Sequence, residues 1–189
     1  KKNLIINGNF DFWQRGTFAT YTTNQYLADR WYWNSNVGGS YGSGWDSTLY
    51  PNTGEKNHAI NVTTSTTVGA SGFSAMAQWI EGYNIVELIG KSFTLSMDVQ
   101  STIAGTYYIL VSNHDNTRRT YKPITIDADT KTRVSVSFPF DTQTASWNFD
   151  NQRGMGVQLL HAVGTNFHGT KTGEGDWADD GTISGSDQV

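Results

Sequence analysis

Between Leu88 and Ser101 the chain alternates so strictly that a strand with one dry face is the structure that satisfies it. Phe93, Leu95, Met97 and Val99 fall on one side, and Thr94, Ser96, Asp98 and Gln100 on the other. The same period of two returns at Thr132–Phe140, where Val134, Val136, Phe138 and Phe140 oppose Ser135 and Ser137. It returns again at Phe73–Gly82, where Met76, Gln78 and Ile80 oppose Ala77, Trp79 and Glu81, and at His58–Thr63 with Ile60 and Val62. Four such segments leave little room for any class but all-β.

The remaining segments fill in the same pattern. Asn3–Ile6 reads as an opening strand that runs into an Asn7-Gly8-Asn9 turn, and Trp13–Gln25 as a loop. Arg30–Asn34 sets Trp31 and Trp33 against Tyr32, with either face open to burial, and Val37–Gly44 reads as a Gly-rich loop. A strand follows at Trp45–Tyr50. Thr106–Ser112 is apolar almost throughout, so alternation assigns it no inward face. Tyr121–Ile126 carries Pro123, which marks an edge or a bulge. About ten strands joined by Gly, Asn and Asp turns, and no convincing helix, describe a sandwich or barrel. Composition agrees: charged residues are 16% of the chain, aromatics 13%, and Gly occurs 20 times.

A chain of 189 residues fits a single domain, 1–189, and its start at Lys1 rather than Met makes a longer parent polypeptide the expectation. The net charge of −4 gives no general pull toward nucleic acid or anionic membrane. The basic doublets Lys1-Lys2 and Arg118-Arg119 read as solvated surface. Without cysteine there is neither disulfide nor thiolate metal site. No apolar run approaches the roughly 20 residues that a spanning helix needs, so no membrane insertion is expected.

Catalytic patterns are weak. Glu81, Asp98 and Asp115 are the carboxylates that a glycan-cleaving pair would draw on, yet strand exteriors and loops ordinarily hold solvated carboxylates. No Gly-x-Ser-x-Gly elbow occurs, and His58, His114, His161 and His168 follow no ligand or triad spacing. The chain reads as noncatalytic, with no required cofactor.

Several discontinuous motifs point further. They are the opening Asn3–Gly16, Leu27–Trp33, Gln78-Trp79-Ile80-Glu81-Gly82, Trp147–Val157, Gly164-Thr165-Asn166-Phe167 and Trp177. Together they resemble a family of jelly-roll β-sandwich domains of bacteriophage tail fibres and other virion appendages, related in pattern to carbohydrate-binding modules. Residues 78–82 are similar to that family's Gln-x-Ile-Glu-Gly signature. The resemblance implies a jelly roll of two antiparallel sheets, a place on the virion surface, and surface polysaccharide, other virion proteins and a homo-oligomer as partners. It also implies a structural calcium ion where the terminal strands meet, with Asp11 as the side-chain ligand and Glu174, Asp176, Asp179 and Asp180 as helpers. One departure stands out: the family's last apolar strand is replaced by a polar tail, Asp179–Val189. The strand then lies further along, comes from another chain, or leaves an edge open.

Exposed aromatics among amides suit sugars, whose C–H faces stack on rings and whose hydroxyls need polar partners. Trp79 is the leading candidate, since its strand neighbours Gln78, Met76 and Ile80 point to the core. Tyr41, Trp45, Tyr83, Trp147 and Trp177 follow, because they lie in or beside loops. The alternatives are a purely structural assembly domain, in which aromatics make oligomer contacts, and an accessory module of a polysaccharide-degrading enzyme.

Overall fold

The computed structural model describes residues 2–15, 18–21, 24–37, 39–45, 58–64, 68–170 and 177–189, with backbone alone for 18–21, 39–45 and 58–64. The chain is mostly β. Six strands form one antiparallel sheet, in the order β2 (Gln25–Tyr26), β3 (Trp31–Ser35), β6 (Phe73–Glu81), β11 (Arg153–Val163), β8 (Gly105–Asn113) and β9 (Arg119–Ile126). Two more, β7 (Ser92–Val99) and β10 (Thr132–Pro139), pair in a second. These two sheets thus contain eight strands rather than the expected ten or so. A separate three-stranded sheet joins β1 (Phe18–Tyr21), β4 (Gly39–Trp45) and β5 (His58–Thr64).

The strands β1 and β4 correct two expected loops. Gly39–Trp45 is Gly or Ser at five of its seven positions, but it is paired on both sides, and ladder hydrogen bonds supply what propensity does not. Helix is confined to short turns such as α1 (Gly82–Ile85).

Alternation is realised where it was clearest. Val99, Val134 and Phe138 of the small sheet pack against Ile80, Ile109, Val111, Ile124, Met155 and Val157 of the large one, forming the main core. Burial of each such side chain contributes roughly 1.5–3 kcal/mol. The apolar run of β8 has two dry faces. Tyr107, Ile109 and Val111 enter the main core, while Tyr108 and Leu110 join Tyr121, Leu160 and Ala75 on the opposite side. There Ile183 lies over them, and isolated bridges Arg119–Ala178, His168–Ser184 and Thr106–Gln188 hold the polar tail down. Pro123 lies in β9, an edge strand of the six-stranded sheet, as its missing N–H requires.

Asn3–Ile6 is not a strand. Leu4 and Ile5 pack on the core, but the Ile6 peptide pairs with a side chain: its N–H donates to Gln78 Oε1 at 2.8 Å and its carbonyl accepts from Gln78 Nε2 at 2.9 Å. A buried carboxamide thus replaces a neighbouring strand and satisfies its own polar atoms in doing so. Asn7 continues the anchoring. Its Nδ2 donates to the Phe12 and Asp29 carbonyls, its Oδ1 accepts from the Phe12 N–H, and its carbonyl accepts from Trp31 Nε1 at 2.9 Å.

The doublet Arg118-Arg119 is also not solvated surface. Arg118 forms a fork of two 2.8 Å bonds with Asp141, a carboxylate only 2% exposed that also accepts from Trp147 Nε1. Burial pushes the Asp141 carboxyl up, but the bonds from Arg118, the Gln143 N–H and Trp147 outweigh it and hold it below the usual range.

One edge of β7 has no strand partner among the described residues. Lys91 O accepts from Phe140 N, so antiparallel alternation turns the peptides of Phe93, Leu95 and Met97 toward β10. Those of Ser92, Thr94, Ser96 and Asp98 then face outward. Pro139 opposite Ser92 fits this phase, because no N–H is needed there.

Candidate functional site

Two adjoining clefts lie beside the six-stranded sheet and share Tyr26 and Arg30. The larger, about 500 Å³, is lined by Ile6, Asn7, Phe12, Gln14, Arg15 and Asp29 besides the shared pair. The smaller, about 230 Å³, adds Trp79, Ile80, Glu81, Asn151, Gln152 and Arg153.

Four separate stretches of chain build these walls, and each is fixed by local chemistry. The Asn7 carboxamide closes residues 7–12 into a loop and ties it to Asp29. The turn 27–31 is closed by Leu27 N–H to Trp31 O and Trp31 N–H to Ala28 O, with Leu27 and Ala28 wholly buried beneath it. The loop 148–152 is drawn in by Gly82, whose N–H donates to Gln152 O while Tyr83 N–H donates to Asp150 O. A Cβ on Gly82 would stand 2.4 Å from the Asn148 carbonyl, so this approach needs glycine. Asn7, Phe10 and Arg30, with φ of 53°, 56° and 74°, account for three of the five non-glycine left-handed residues among those described. Such conformations cost about 1–3 kcal/mol each and persist where surroundings over-determine them.

The charges in the clefts are arranged in two ways. Arg30 is ion-paired with Glu81, which also accepts from Asn84 Nδ2. Burial raises the Glu81 carboxyl, but the Arg30 hydrogen bond, its own backbone N–H, the Arg30 charge and Asn84 together bring it below the usual range. A carboxyl so placed stays ionised and is a poor proton donor. Arg15 and Arg153 are held by rings instead, 4.9 Å from the Tyr26 centroid and 4.8 Å from that of Trp79.

Trp79 lies on the outer face of its sheet as alternation requires, half-buried, beside Gly156 in the pairing register. A Cβ at Gly156 would meet the indole Cζ3 at 2.9 Å, so the ring rests on bare backbone. With Arg153 over it, the indole is a bed for a guanidinium rather than an open sugar platform.

The other aromatic candidates separate. Tyr83 is 67% exposed on α1. Trp147 is a core residue, 6% exposed and 4.6 Å from Phe140, and Trp177 closes over it edge-on at 5.2 Å while donating to Pro139 O. Trp147 is thus not presented at the surface, and the indole N–H of each finds a protein acceptor. The side chains of Tyr41 and Trp45 lie outside the described residues, as do Glu174 and Asp176. Asp11 is exposed, and among the described residues no group of three metal-ligating side chains gathers. Asp180 caps its own turn through Thr182, and Asp179 acts on Arg118 and Arg119. Asp98 meets Lys131 and Arg133, and Asp115 binds Thr117 and faces His114.

Sequence reasoning missed Phe12, Arg15, Tyr26, Arg30 and Arg153. The signal present was Phe12-Trp13-Gln14-Arg15, an aromatic pair followed by an amide and a cation.

Comparison with protein-family models, with curated proteins and with solved structures returned no significant match.

Proposed function

We propose that this chain is a noncatalytic glycan-binding domain, a jelly-roll sandwich that serves a phage virion appendage in host recognition. The observation that carries the binding reading is the larger cleft. Phe12, 65% exposed, stands there among Asn7, Gln14, Arg15 and Asp29, a ring for a sugar's C–H face within reach of polar groups for its hydroxyls. The virion context rests on the motif resemblance alone. No required cofactor enters the reading, and calcium at Asp11 stays a proposal of the resemblance.

Binding of the whole chain to an array of bacterial surface polysaccharides tests it. Phe12→Ala is expected to lower retention about tenfold or more with the oligomeric state unchanged, whereas Trp177→Phe retains binding. Equal retention by wild type and Phe12→Ala would remove the cleft from the account.

A second reading, an assembly domain, is favoured by the unpaired edge of β7 together with exposed Tyr83, Val86 and Ile89 on the neighbouring turns. It predicts lost assembly without any change in glycan profile when that edge is blocked.

A further inference from the structure

We propose that the two adjoining clefts select acidic glycans, and that Arg15 in the larger and Arg153 in the smaller read carboxylates. The inference rests on the glycan-binding reading and names the ligand class for the same site.

Three of the six arginines in the chain, Arg15, Arg30 and Arg153, line these two adjoining clefts. The other three are engaged elsewhere: Arg118 by Asp141, Arg133 by Asp98, and Arg119 half-buried near Asp179 and Asp180. Within the clefts only Arg30 has a carboxylate, Glu81. Asp29, the other acid of the lining, accepts from the Gln14 N–H. Arg15 and Arg153 are exposed and make neither a salt bridge nor a hydrogen bond among the described residues.

Exposed arginines are commonly mobile and fully hydrated; these two are positioned. A ring holds each guanidinium, at 4.9 Å for Arg15 and 4.8 Å for Arg153, and with no hydrogen bond or ion pair to the described residues their N–H donors are available to a carboxylate's two oxygens. Fixing the side chain in advance removes part of the entropy that binding would otherwise cost. Trp79 shows the arrangement most plainly: the half-buried ring lies against Gly156 and carries Arg153, which leaves little of it for a neutral sugar to stack upon. Phe12 remains the exposed ring that a sugar can cover, with Arg15 lining the same cleft. A uronate or sialate residue combines the two demands, an apolar ring face and a planar acid. The net charge of −4 makes the clustering of unpaired arginines here a local property rather than a general affinity for anions.

The test uses the whole chain on an array of uronate- and sialate-bearing bacterial polysaccharides, each printed beside its carboxyl-reduced form. Wild type is expected to bind at least one acidic polymer about tenfold or more above its reduced partner, with binding that weakens as salt rises. Arg15→Gln and Arg153→Gln are each expected to lose about tenfold on the acidic polymer, while Arg133→Gln, outside the cleft, retains wild-type binding. Equal binding to acidic and reduced forms, or unchanged binding by both cleft variants, overturns the acid selectivity and leaves glycan binding standing. An equal loss in Arg133→Gln overturns it too, since bulk charge would then account for the preference. Absence of binding to every polymer of both kinds overturns the glycan reading and this inference together.

Discussion

Trp147, just after a short helical turn, and Trp79, in strand β6, are the same residue type, yet the structure uses them oppositely. Trp147 is buried against Phe140, capped by Trp177, and gives its indole N–H to a carboxylate that is itself forked by Arg118. Trp79 is half-buried on glycine backbone, and its partner is a guanidinium with no carboxylate of its own among the described residues. In the first place cation and anion are both internal, and the tryptophan completes a closed network. In the second the anion is missing, and the tryptophan presents a cation outward. What an aromatic meets, not its position in a loop, decides whether it holds the fold or serves a ligand.

The largest effect should come from opening the closed network. Asp141→Ala leaves the Arg118 charge without its partner, and urea denaturation should show a loss of about 3–5 kcal/mol. The folded fraction should still bind glycan. Gly156→Ala acts on the other side of the contrast: the added methyl meets Trp79 at 2.9 Å and Ser112 Oγ at 3.0 Å. Overpacking of this kind costs about 1–3 kcal/mol. The displaced indole should carry Arg153 with it, so acid preference on the array should fall although no cleft residue has been replaced. Stability loss with intact preference would show that the indole bed is dispensable.

A smaller, pH-dependent effect belongs to His161, the extra residue where β11 slips its register against β6 between Leu160 and Ala162. The residue as a whole is half-buried, but Nδ1 is sealed from solvent with no hydrogen-bond partner among the described residues, and burial pushes the ring from its ordinary 6.5 down to about 4. The folded state therefore resists a proton that the unfolded chain accepts. Stability should decline as pH falls from 6.5 toward about 4, and thermal melts of His161→Gln should show a flatter profile across that window. Asp141 behaves differently: its depressed carboxyl contributes fully above the ordinary value of 3.8, and that contribution is withdrawn only below it. Identical profiles for wild type and His161→Gln would remove the histidine from the acid response.

The sheets were legible in the sequence where side chains report the pairing. Phe93–Val99 and Val134–Phe140 alternate because each has one dry face; Phe73–Glu81 is buried on both faces, with small Ala75 and Ala77 opposite Gln78 and Ile80, and Gln78 was placed inward without its partner being visible. The backbone of Ile6, 72 residues away, is what satisfies it. Strand β4 was hidden because a Gly- and Ser-rich segment takes its regularity from neighbours, and β1 because its four residues are too short a run to show a period. The tie between Arg118 and Asp141 was hidden by a separation of 23 positions in the sequence. The site was least legible, since its walls come from residues 6–15, 26–30, 79–81 and 151–153. Trp79 was found by alternation, but alternation gives a side and not a neighbour, and the neighbour turned a sugar platform into a seat for Arg153.

The most direct test follows indole and guanidinium N–H signals by NMR while an acidic oligosaccharide from the array is titrated into the whole chain. The account predicts that the Trp79 indole N–H and the Arg15 and Arg153 side-chain N–H signals shift together and saturate, while the Trp147 indole N–H stays in place. Saturable binding that leaves Trp79, Arg15 and Arg153 unmoved would contradict it.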